Sequence, residues 1–307
     1  MVSATTHMAK PRALLTGIRG FTGGYVAAEL RAHGWDVWGL GSHPDVSDPQ
    51  YRCADLLDVP SLRSVVADVQ PDVVVHLAAI AFVGHGDVGA FYRVNLLGSR
   101  NLLAALAQAE QKPSCVLLAS SANVYGNSGA GVLTESTIPN PANDYAVSKL
   151  AMEHMARLWM DRLPIVIARP FNYTGVGQSA DFLLPKITAH FHDRARTIEL
   201  GNIDVWRDFS DVRVVAQAYR RLLQVCPAGA TVNVCSGRTH SLREVLQMMK
   251  HISGHAIDVR VNPSFVRANE VRSLCGSSDK LRELIGDWSV PPLEETLRWM
   301  LGEIPHD

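Results

Sequence analysis

Three residue types that together can assist the reduction of a carbonyl group occur at spacings that bring them together. Tyr145 and Lys149 are four positions apart, so on a helix they lie on the same face. Ser120 and Ser121 follow the apolar run CVLLA at 115–119, the end of a predicted strand. A free phenol has a pKa of about 10, and an adjacent ammonium favours the phenolate. We expect Tyr145 to exchange a proton, Ser121 to bind the carbonyl oxygen, and Lys149 to hold a cofactor ribose and lower the pKa of Tyr145.

A glycine-rich segment near the N-terminus indicates a phosphate-binding loop. Gly17, Gly20 and Gly23 follow the short apolar run Ala13–Thr16 and precede a segment of helical period. Glycines there permit a tight turn and the close approach of a diphosphate, which the helix N-terminus stabilises. The position between strand and helix predicts a dinucleotide site, and the alternative is a glycine turn without a ligand.

The residues after the second predicted strand bear on the choice of dinucleotide. An NAD site commonly has an acid there for the ribose hydroxyls, whereas this strand ends in LGSH at 40–43. Arg19, helped by Ser42 or His43, could instead bind a 2′-phosphate, and the alternative is a solvated Arg19. We expect NADPH, with NADH as the other candidate. Asp55 could contact the adenine amino group, or it could be a surface acid.

Apolar runs alternate with segments of helical period through the first half of the chain. Strands that are apolar on both faces and separated by helices indicate a parallel sheet covered on both sides. Right-handed crossovers then give an α/β fold with a Rossmann-type doubly wound sheet. After about residue 170 the alternation loosens, which predicts a smaller C-terminal substrate lobe. We assign 9–170 to the dinucleotide-binding domain, with later segments of about 205–240 returning to it, and 171–307 mainly to the lobe.

Each predicted element is bounded by a change in apolar spacing. The predicted strands are Ala13–Thr16, Val37–Leu40, Asp72–His76, Cys115–Ala119, Ile165–Ala168 and Thr231–Cys235. The predicted helices are Gly24–His33, Ser61–Val69, Ala90–Ala109, Asn143–Trp159, Phe182–Phe191, Val212–Leu223, Ser241–Ile252, Asp279–Leu284 and Leu293–Leu301.

Composition excludes several classes of protein. Hydrophobic residues make up 47% and charged residues 19%, which is incompatible with a disordered chain. With 29 Lys and Arg against 30 Asp and Glu, a general nucleic-acid-binding surface is not expected. No apolar run approaches the ~20 residues of a membrane span. The five cysteines lack metal-ligand spacing and indicate reduced thiols in a cytoplasmic protein, and residues 1–7 are expected to be a leader outside the fold.

Segments spread along the chain resemble the extended short-chain dehydrogenase/reductases that act on nucleotide sugars. They are GIRGFTG at 17–23, HLAA at 76–79, VNLLGSRNLL at 94–103, SSANVYG at 120–126, YAVSK at 145–149 and ARPFN at 168–172. Later segments are similar to the branch that uses GDP-sugars. They are GVGQ at 175–178, GNIDVWRDFSDV at 201–212, NVCSG at 233–237 and RANEVRSLCGSSDKL at 267–281.

The resemblance, with the motifs above, implies a complete site without a metal. The implied catalytic residues are Ser121, Tyr145 and Lys149. The cofactor site comprises Gly17, Arg19, Gly20, Phe21, Gly23, Ser42, Asp55, Leu56, Ala78 and Lys149. The substrate site comprises Asn172, Arg207, Arg267 and Glu270. For Arg207 the alternative is a salt bridge to Asp208 or Asp211.

The resemblance also implies a reaction. Dehydratases of this family carry an acidic pair after the catalytic hydroxyl, where this chain has Ala122 and Asn123, neither of which accepts a proton at neutral pH. The implied reaction is NADPH-dependent reduction of the C4 ketone of GDP-4-dehydro-6-deoxy-D-mannose to GDP-D-rhamnose or GDP-6-deoxy-D-talose. The alternatives are a 4-epimerase that retains NAD, a GDP-mannose 4,6-dehydratase and a non-catalytic dinucleotide sensor.

By the same resemblance we expect a homodimer formed through the helices at 90–109 and 143–159. The alternative is that the apolar faces of these helices are wholly intramolecular.

Overall fold

The computed structural model describes residues 10–81, 86–127, 131–265 and 271–302. The strands in these residues are β1 Arg12–Thr16, β2 Asp36–Gly41, β3 Tyr51–Cys53, β4 Val73–His76, β5 Cys115–Ala119, β6 Val132–Leu133, β7 Ile165–Pro170, β8 Asn172–Thr174, β9 Thr197–Leu200, β10 Trp206–Asp211, β11 Thr231–Val234, β12 Thr239–Ser241, β13 Asp258–Val261 and β14 Ser273–Gly276. The α-helices are α1 Phe21–Ala32, α2 Val59–Val69, α3 Val88–Ala90, α4 Ser99–Gln108, α5 Asp144–Arg157, α6 Leu183–His192, α7 Val212–Val225, α8 Leu242–Ser253, α9 Asp279–Ile285 and α10 Leu293–Gly302.

The central sheet has seven strands in the order β11-β7-β5-β4-β1-β2-β3. All of its neighbouring strands run parallel, so every carboxyl end lies at one edge. The order reverses direction between β1 and β4, and such a switch point opens a crevice for ligands. The fold is therefore the doubly wound α/β sheet expected from the sequence.

Helices cover both faces of the central sheet because successive side chains of its strands point in opposite directions. Leu117 packs in the core formed with α1, α7 and α9, and Leu118 packs in the core formed with α2, α4 and α5. Both leucines are fully buried.

A second sheet extends from the carboxyl edge of the first. Its strands follow the order β12-β10-β14-β6, with β8 paired to β10. Only Phe171 separates β7 from β8, so the chain passes directly from the central sheet into the second one. Helices α6, α8 and α10 pack with β9 and β10 in a separate core. This arrangement holds the second sheet above the crevice.

The structure changes some predicted elements. Helix α1 begins at Phe21 rather than Gly24, because Gly23 packs on the loop. The predicted helix 90–109 consists of α3, a π-helix at Phe91–Gly98, and α4. The second sheet is absent from the predicted elements, since its strands have only two to six residues. Among the described residues, no helix combines the length and apolar character needed to cross a bilayer.

Candidate active site

The glycine loop joins β1 to α1 in a geometry that requires glycine. Gly17 has a φ of +72°, and a Cβ there would lie 2.8 Å from the amide nitrogen of Ala78. A Cβ on Gly23 would overlap the carbonyl oxygen of Gly17. Helix α1 has no side-chain cap at Gly20 and no acid in its first turn. The first-turn amides therefore suit a diphosphate, and the loop fits a dinucleotide.

The first residues of α1 connect this loop to the second sheet. The ring of Phe21 stacks on the ring of Tyr173 in β8, with 6.2 Å between centroids. The hydroxyls of Thr22 and Tyr173 are hydrogen bonded at 2.8 Å. Tyr173 thereby links the loop to β8, the strand that begins at Asn172.

A neutral histidine lies at the end of β4, beside the loop. His76 Nδ1 is 2.7 Å from Thr16 Oγ1, and its Nε2 is 2.8 Å from Ser99 Oγ. Thr16 Oγ1 already accepts from two backbone amides, so its own proton is directed to Nδ1. The ring proton therefore belongs on Nε2. Burial, and then the charge of Lys149, lower the pKa of His76 to about 3.

Arg19 forms an ion pair with an acid that is not among the predicted site residues. Its guanidinium contacts the carboxylate of Asp45, in the loop after β2, and lies 4.2 Å from the centroid of the Tyr51 ring. Ser42 and His43 are hydrogen bonded to each other. The interpretation of Arg19 as merely solvated is therefore wrong, and the end of β2 does have an acid nearby. Its place about 20 residues beyond the glycines could have indicated it.

Asp55 and Leu56 lie just after β3, at the same edge of the sheet. The exposed carboxylate of Asp55 accepts a hydrogen bond from the backbone of Leu57 at 2.9 Å. Leu56 packs against Gly98, where a Cβ would lie 2.9 Å from the Leu56 Cβ. Asp55 thus closes its own turn.

Ser121, Tyr145 and Lys149 meet where β5 ends. Asn143 caps the first turn of α5, which fixes the helix start directly before Tyr145. Lys149 Nζ donates to the carbonyl oxygen of Ala119 at 2.8 Å. The Ser121 hydroxyl is close enough to Tyr145 to favour its phenolate and so to lower its pKa in part. One helix face therefore presents a phenol and an ammonium to one strand end.

Burial dominates the ionisation of this cluster. It raises the pKa of Tyr145 to about 12, and the nearby Ser121 hydroxyl offsets only part of that shift. Burial lowers the pKa of Lys149 to about 8, against the opposing charge of Glu153. The expectation of a lowered pKa for Tyr145 is therefore wrong, because desolvation of the phenolate is the largest effect on this group. At neutral pH Tyr145 is a neutral phenol that can donate a proton.

Asn172 and Arg207 lie on adjacent strands of the second sheet. Asn172 begins β8, and Arg207 lies on β10, two residues before the register partner of Asn172. Arg207 Nη1 donates to the carbonyl oxygen of Trp206 at 2.9 Å and of Arg272 at 3.3 Å. The two polar side chains stand on the sheet that overhangs the crevice.

The two acids considered as partners of Arg207 have other roles. Asp208 is buried and accepts from the backbone and hydroxyl of Ser236. Asp211 caps α7 and pairs with Arg213 at 2.7 Å. Both carboxylates thus anchor the second sheet. The other predicted substrate residues, Arg267 and Glu270, lie outside the described residues.

A second acid outside the predicted set lies behind the cluster. Glu153 follows Lys149 by one helical turn and forms a buried ion pair with Arg169 of β7, at 2.6 Å. Its four-residue spacing from Lys149 could have indicated it.

Comparison with known proteins links these features to characterised relatives. The sequence profile of the family described as GDP-mannose 4,6-dehydratase matches residues 14–298. GDP-6-deoxy-D-talose 4-dehydrogenase from Aggregatibacter actinomycetemcomitans is 36% identical over 76% of this chain and 79% of its own. GDP-6-deoxy-D-mannose reductase from Pseudomonas aeruginosa is 35% identical over 95% of this chain and 96% of its own.

Solved structures share the whole fold. One from Burkholderia cenocepacia J2315, named only provisionally as an epimerase, is 57% identical with a TM-score of 0.90, and covers 96% of this chain and 98% of its own. RMD from Pseudomonas aeruginosa, solved with NADPH, is 33% identical with a TM-score of 0.83, and covers 95% of this chain and 98% of its own.

Replacement of His76 by Gln should change how stability depends on pH. The folded-state pKa of His76, about 3, lies below the unfolded value of 6.5, so its contribution is complete above pH 6.5 and is lost as pH falls towards 3. Between pH 7.5 and 5.5 this group should cost about 1.4 kcal/mol of unfolding free energy. Urea unfolding at pH 7.5 and 5.5 measures the loss of unfolding free energy between the two pH values. This loss should be smaller by that amount in His76→Gln than in the wild type. His251→Gln, at an exposed site, should lose as much as the wild type, and an equal loss in His76→Gln would contradict the assignment.

Proposed function

The chain belongs to the GDP-mannose 4,6-dehydratase family, and we propose that it reduces the C4 ketone of GDP-4-dehydro-6-deoxy-D-mannose with NADPH. The product is GDP-D-rhamnose, or its C4 epimer GDP-6-deoxy-D-talose. The observation that carries this proposal is the convergence of Ser121, the protonated Tyr145 phenol and Lys149 at the carboxyl end of β5. Relatives named for oxidoreduction at the same carbon of GDP-6-deoxyhexoses support it.

The protein groups act on the ketone oxygen. NADPH, when bound, supplies the hydride. Ser121 donates a hydrogen bond to the oxygen as negative charge develops there, and Tyr145 transfers its phenolic proton to the same atom. Lys149 holds the nicotinamide ribose and, as an ammonium, stabilises the phenolate that Tyr145 becomes after the transfer. The pKa of about 8 for Lys149 allows that charge at neutral pH.

Dehydration would need a base that removes a carbon-bound proton from the sugar. The turn after Ser121 carries Ala122, which is buried, and Asn123, whose amide is not a base. Family membership therefore does not extend to the dehydratase reaction, and simple ketone reduction is the chemistry that these side chains allow.

The cofactor site extends from β1 to β3 along the carboxyl edge. We assign the diphosphate to the loop and first turn of α1, and the adenosine end to residues beyond β2 and β3. This assignment comprises Gly17, Arg19, Gly20, Phe21, Gly23, Ser42, Asp55, Leu56 and Ala78, with Lys149 at the nicotinamide end. Because Asp45 pairs with Arg19, we expect the site to accept NADH in addition to NADPH.

The sugar nucleotide is assigned to the second sheet and the segment before β14. Asn172 on β8 and Arg207 on β10 are assigned to substrate binding. Arg267 and Glu270 complete the proposed set. Arginine suits an uncleaved diphosphate because its fork can donate two hydrogen bonds. On this basis 9–170, with about 205–240, forms the cofactor domain, and 171–307 mainly the substrate lobe. All five cysteines are free, which supports a cytoplasmic location.

The principal competing activity is a nucleotide-sugar 4-epimerase. Such an enzyme keeps NAD through a full cycle, so the purified protein would carry about one NAD per chain. A reductase exchanges its cofactor at each turnover and should be purified with little. Release of NAD on denaturation, measured by absorbance, separates the two activities.

The direct test mixes the protein, NADPH and GDP-4-dehydro-6-deoxy-D-mannose. We expect NADPH absorbance to fall, and proton NMR to identify the rhamnose or talose product. Tyr145→Phe should lower kcat by about a hundredfold or more, since it removes the proton donor, while NADPH affinity changes little. Full activity in Tyr145→Phe would contradict the mechanism.

Replacement of Asp45 by Asn should shift the cofactor preference towards NADPH. It removes a carboxylate that neutralises Arg19 and would repel a 2′-phosphate, so NADPH affinity should rise about fivefold relative to NADH. Fluorescence titration with both cofactors measures the ratio. Asp48→Asn removes an equal charge three residues away, where the carboxylate caps Gln50, and should leave the ratio unchanged. An unchanged ratio in both variants would exclude Asp45 as a determinant.

The protein should be a homodimer paired through the helices at 90–109 and 143–159. Leu97 on the π-helix is 48% exposed and Val147 on α5 is 38% exposed, and these apolar side chains suit a partner surface. Light scattering should give twice the 33.5 kDa chain mass. Val147→Glu should halve the measured mass, whereas Val225→Glu, at the exposed end of α7, should not. A monomeric wild type would contradict the pairing.

A further inference from the structure

The carboxylate of Glu153 is buried and fully bonded, although the proposed reaction does not use it. Its Oε1 accepts from Ser120 Oγ at 2.5 Å and from Arg169 Nε at 2.9 Å. Its Oε2 accepts from Arg169 Nη2 at 2.6 Å. The Arg169 side chain is 3% exposed and that of Glu153 is 1% exposed. A buried ion pair of this kind is often no more stabilising than apolar residues of the same volume, so stability alone does not account for it.

The same pair holds the turn that carries Ser121 from both sides. Ser120 precedes Ser121 and is bonded to Glu153. Tyr125 ends the 3-10 helix that follows Ser121, and its hydroxyl accepts from Arg169 Nη1 at 2.9 Å. The Tyr125 hydroxyl donates in turn to Asn233 at 2.7 Å, which fixes its direction. Ser121 therefore lies between two clamps that both end on one ion pair.

The two adjacent serines have different hydrogen-bond partners. Ser121 is extended, with φ −160° and ψ 145°. Ser120 Oγ is bonded to Glu153, whereas Ser121 Oγ accepts from the backbone amide of Asn123.

The charge of Glu153 also acts on the catalytic helix. Tyr145, Lys149 and Glu153 are spaced by one turn each on α5. The groups facing Lys149 are Tyr145 on the same helix, a neutral phenol, and His76 at the end of β4, which is neutral at pH 7. Arg169 on β7 is paired with Glu153. Glu153 is the negative charge that opposes the burial of Lys149.

We propose that Glu153 is a positioning residue of this site. Through Ser120 and Arg169 it fixes the turn that presents Ser121, and its negative charge keeps Lys149 an ammonium. The inference rests on the proposed function for the roles of Ser121 and Lys149, whereas the contacts of Glu153 and its charge are independent of the substrate.

The test uses the full chain with lysine labelled by ¹³C at Cε. The sequence has six lysines, so Lys149 can be assigned by its loss from the spectrum of Lys149→Met. An NMR titration should give a midpoint near 8 for Lys149 in the wild type. In Glu153→Gln the midpoint should fall by about one unit, since an opposite charge is removed. In the pH profile of kcat/KM, the pKa of the alkaline limb should fall by the same amount.

Two further variants separate charge from shape. Ser120→Ala keeps the charge and loosens the turn, so kcat should fall about tenfold with unchanged KM and an unchanged Lys149 midpoint. Glu153→Met combined with Arg169→Met removes both charges without leaving one buried alone. This variant should fold even if Glu153→Gln does not. Its Lys149 midpoint should also lie below that of the wild type.

An unchanged Lys149 midpoint in the folded Glu153 variants would overturn the electrostatic role. Wild-type kcat in Ser120→Ala would overturn the positioning role. If the wild type failed to reduce the ketone, the proposed function would fall, while the NMR titration would still decide whether Glu153 holds the charge of Lys149.

Discussion

The hydrogen bond from Lys149 Nζ to the carbonyl oxygen of Ala119 joins the helix that carries Tyr145 to the strand that carries Ser121. The ammonium of Lys149 is buried, and its bond to the strand end fixes the position of α5 along β5. A shift of α5 by one residue would turn Lys149 by about 100° away from the strand end and remove Tyr145 from Ser121 at the same time. The geometry of the site is thus set by how α5 packs against the middle of the parallel sheet.

Burial shifts the pKa values of Tyr145 and Lys149 in opposite directions. The phenol becomes harder to ionise, with a pKa of about 12, and the ammonium becomes easier to neutralise, with a pKa of about 8. For Lys149 the folded value lies below the unfolded one, so this charge destabilises the protein at neutral pH and the penalty fades as pH rises from 8 to 10.5. The negative charge of Glu153, one helical turn away, reduces this penalty. A site that must hold a cation beside a proton donor in a dry crevice requires such compensation.

The sequence was sufficient to predict features that depend on residues close together in the chain. The spacing of Gly17 and Gly23, the run 115–119 and the four-residue interval from Tyr145 to Lys149 each reflect backbone geometry, so the structure has the expected strands, loop and helix face. Long-range features were not readable in this way. The ion pair from Arg19 to Asp45 joins the loop after β1 to the loop after β2, two segments more than twenty residues apart in the chain.

The errors about charge have the same origin. The direction of the Tyr145 pKa shift depends on burial, which no spacing reports. The pair between Glu153 and Arg169 joins a helix to a strand across the core. The second sheet was missed because its strands are short and draw their partners from distant parts of the chain.

The division of labour between the two sheets explains why one family can catalyse several reactions. In the proposed reaction, the edge of the central sheet supplies a proton donor and a hydrogen-bond donor that act on the ketone oxygen, and a cation that stabilises the phenolate. On the proposed assignment, the second sheet holds the sugar through Asn172 and Arg207, and it thereby sets which carbon and which face of the sugar meet the nicotinamide. A shift in sugar position of about an ångström is enough to change that face. In this chain the turn after Ser121 carries Ala122 and Asn123, neither of which can act as the base that dehydration would need.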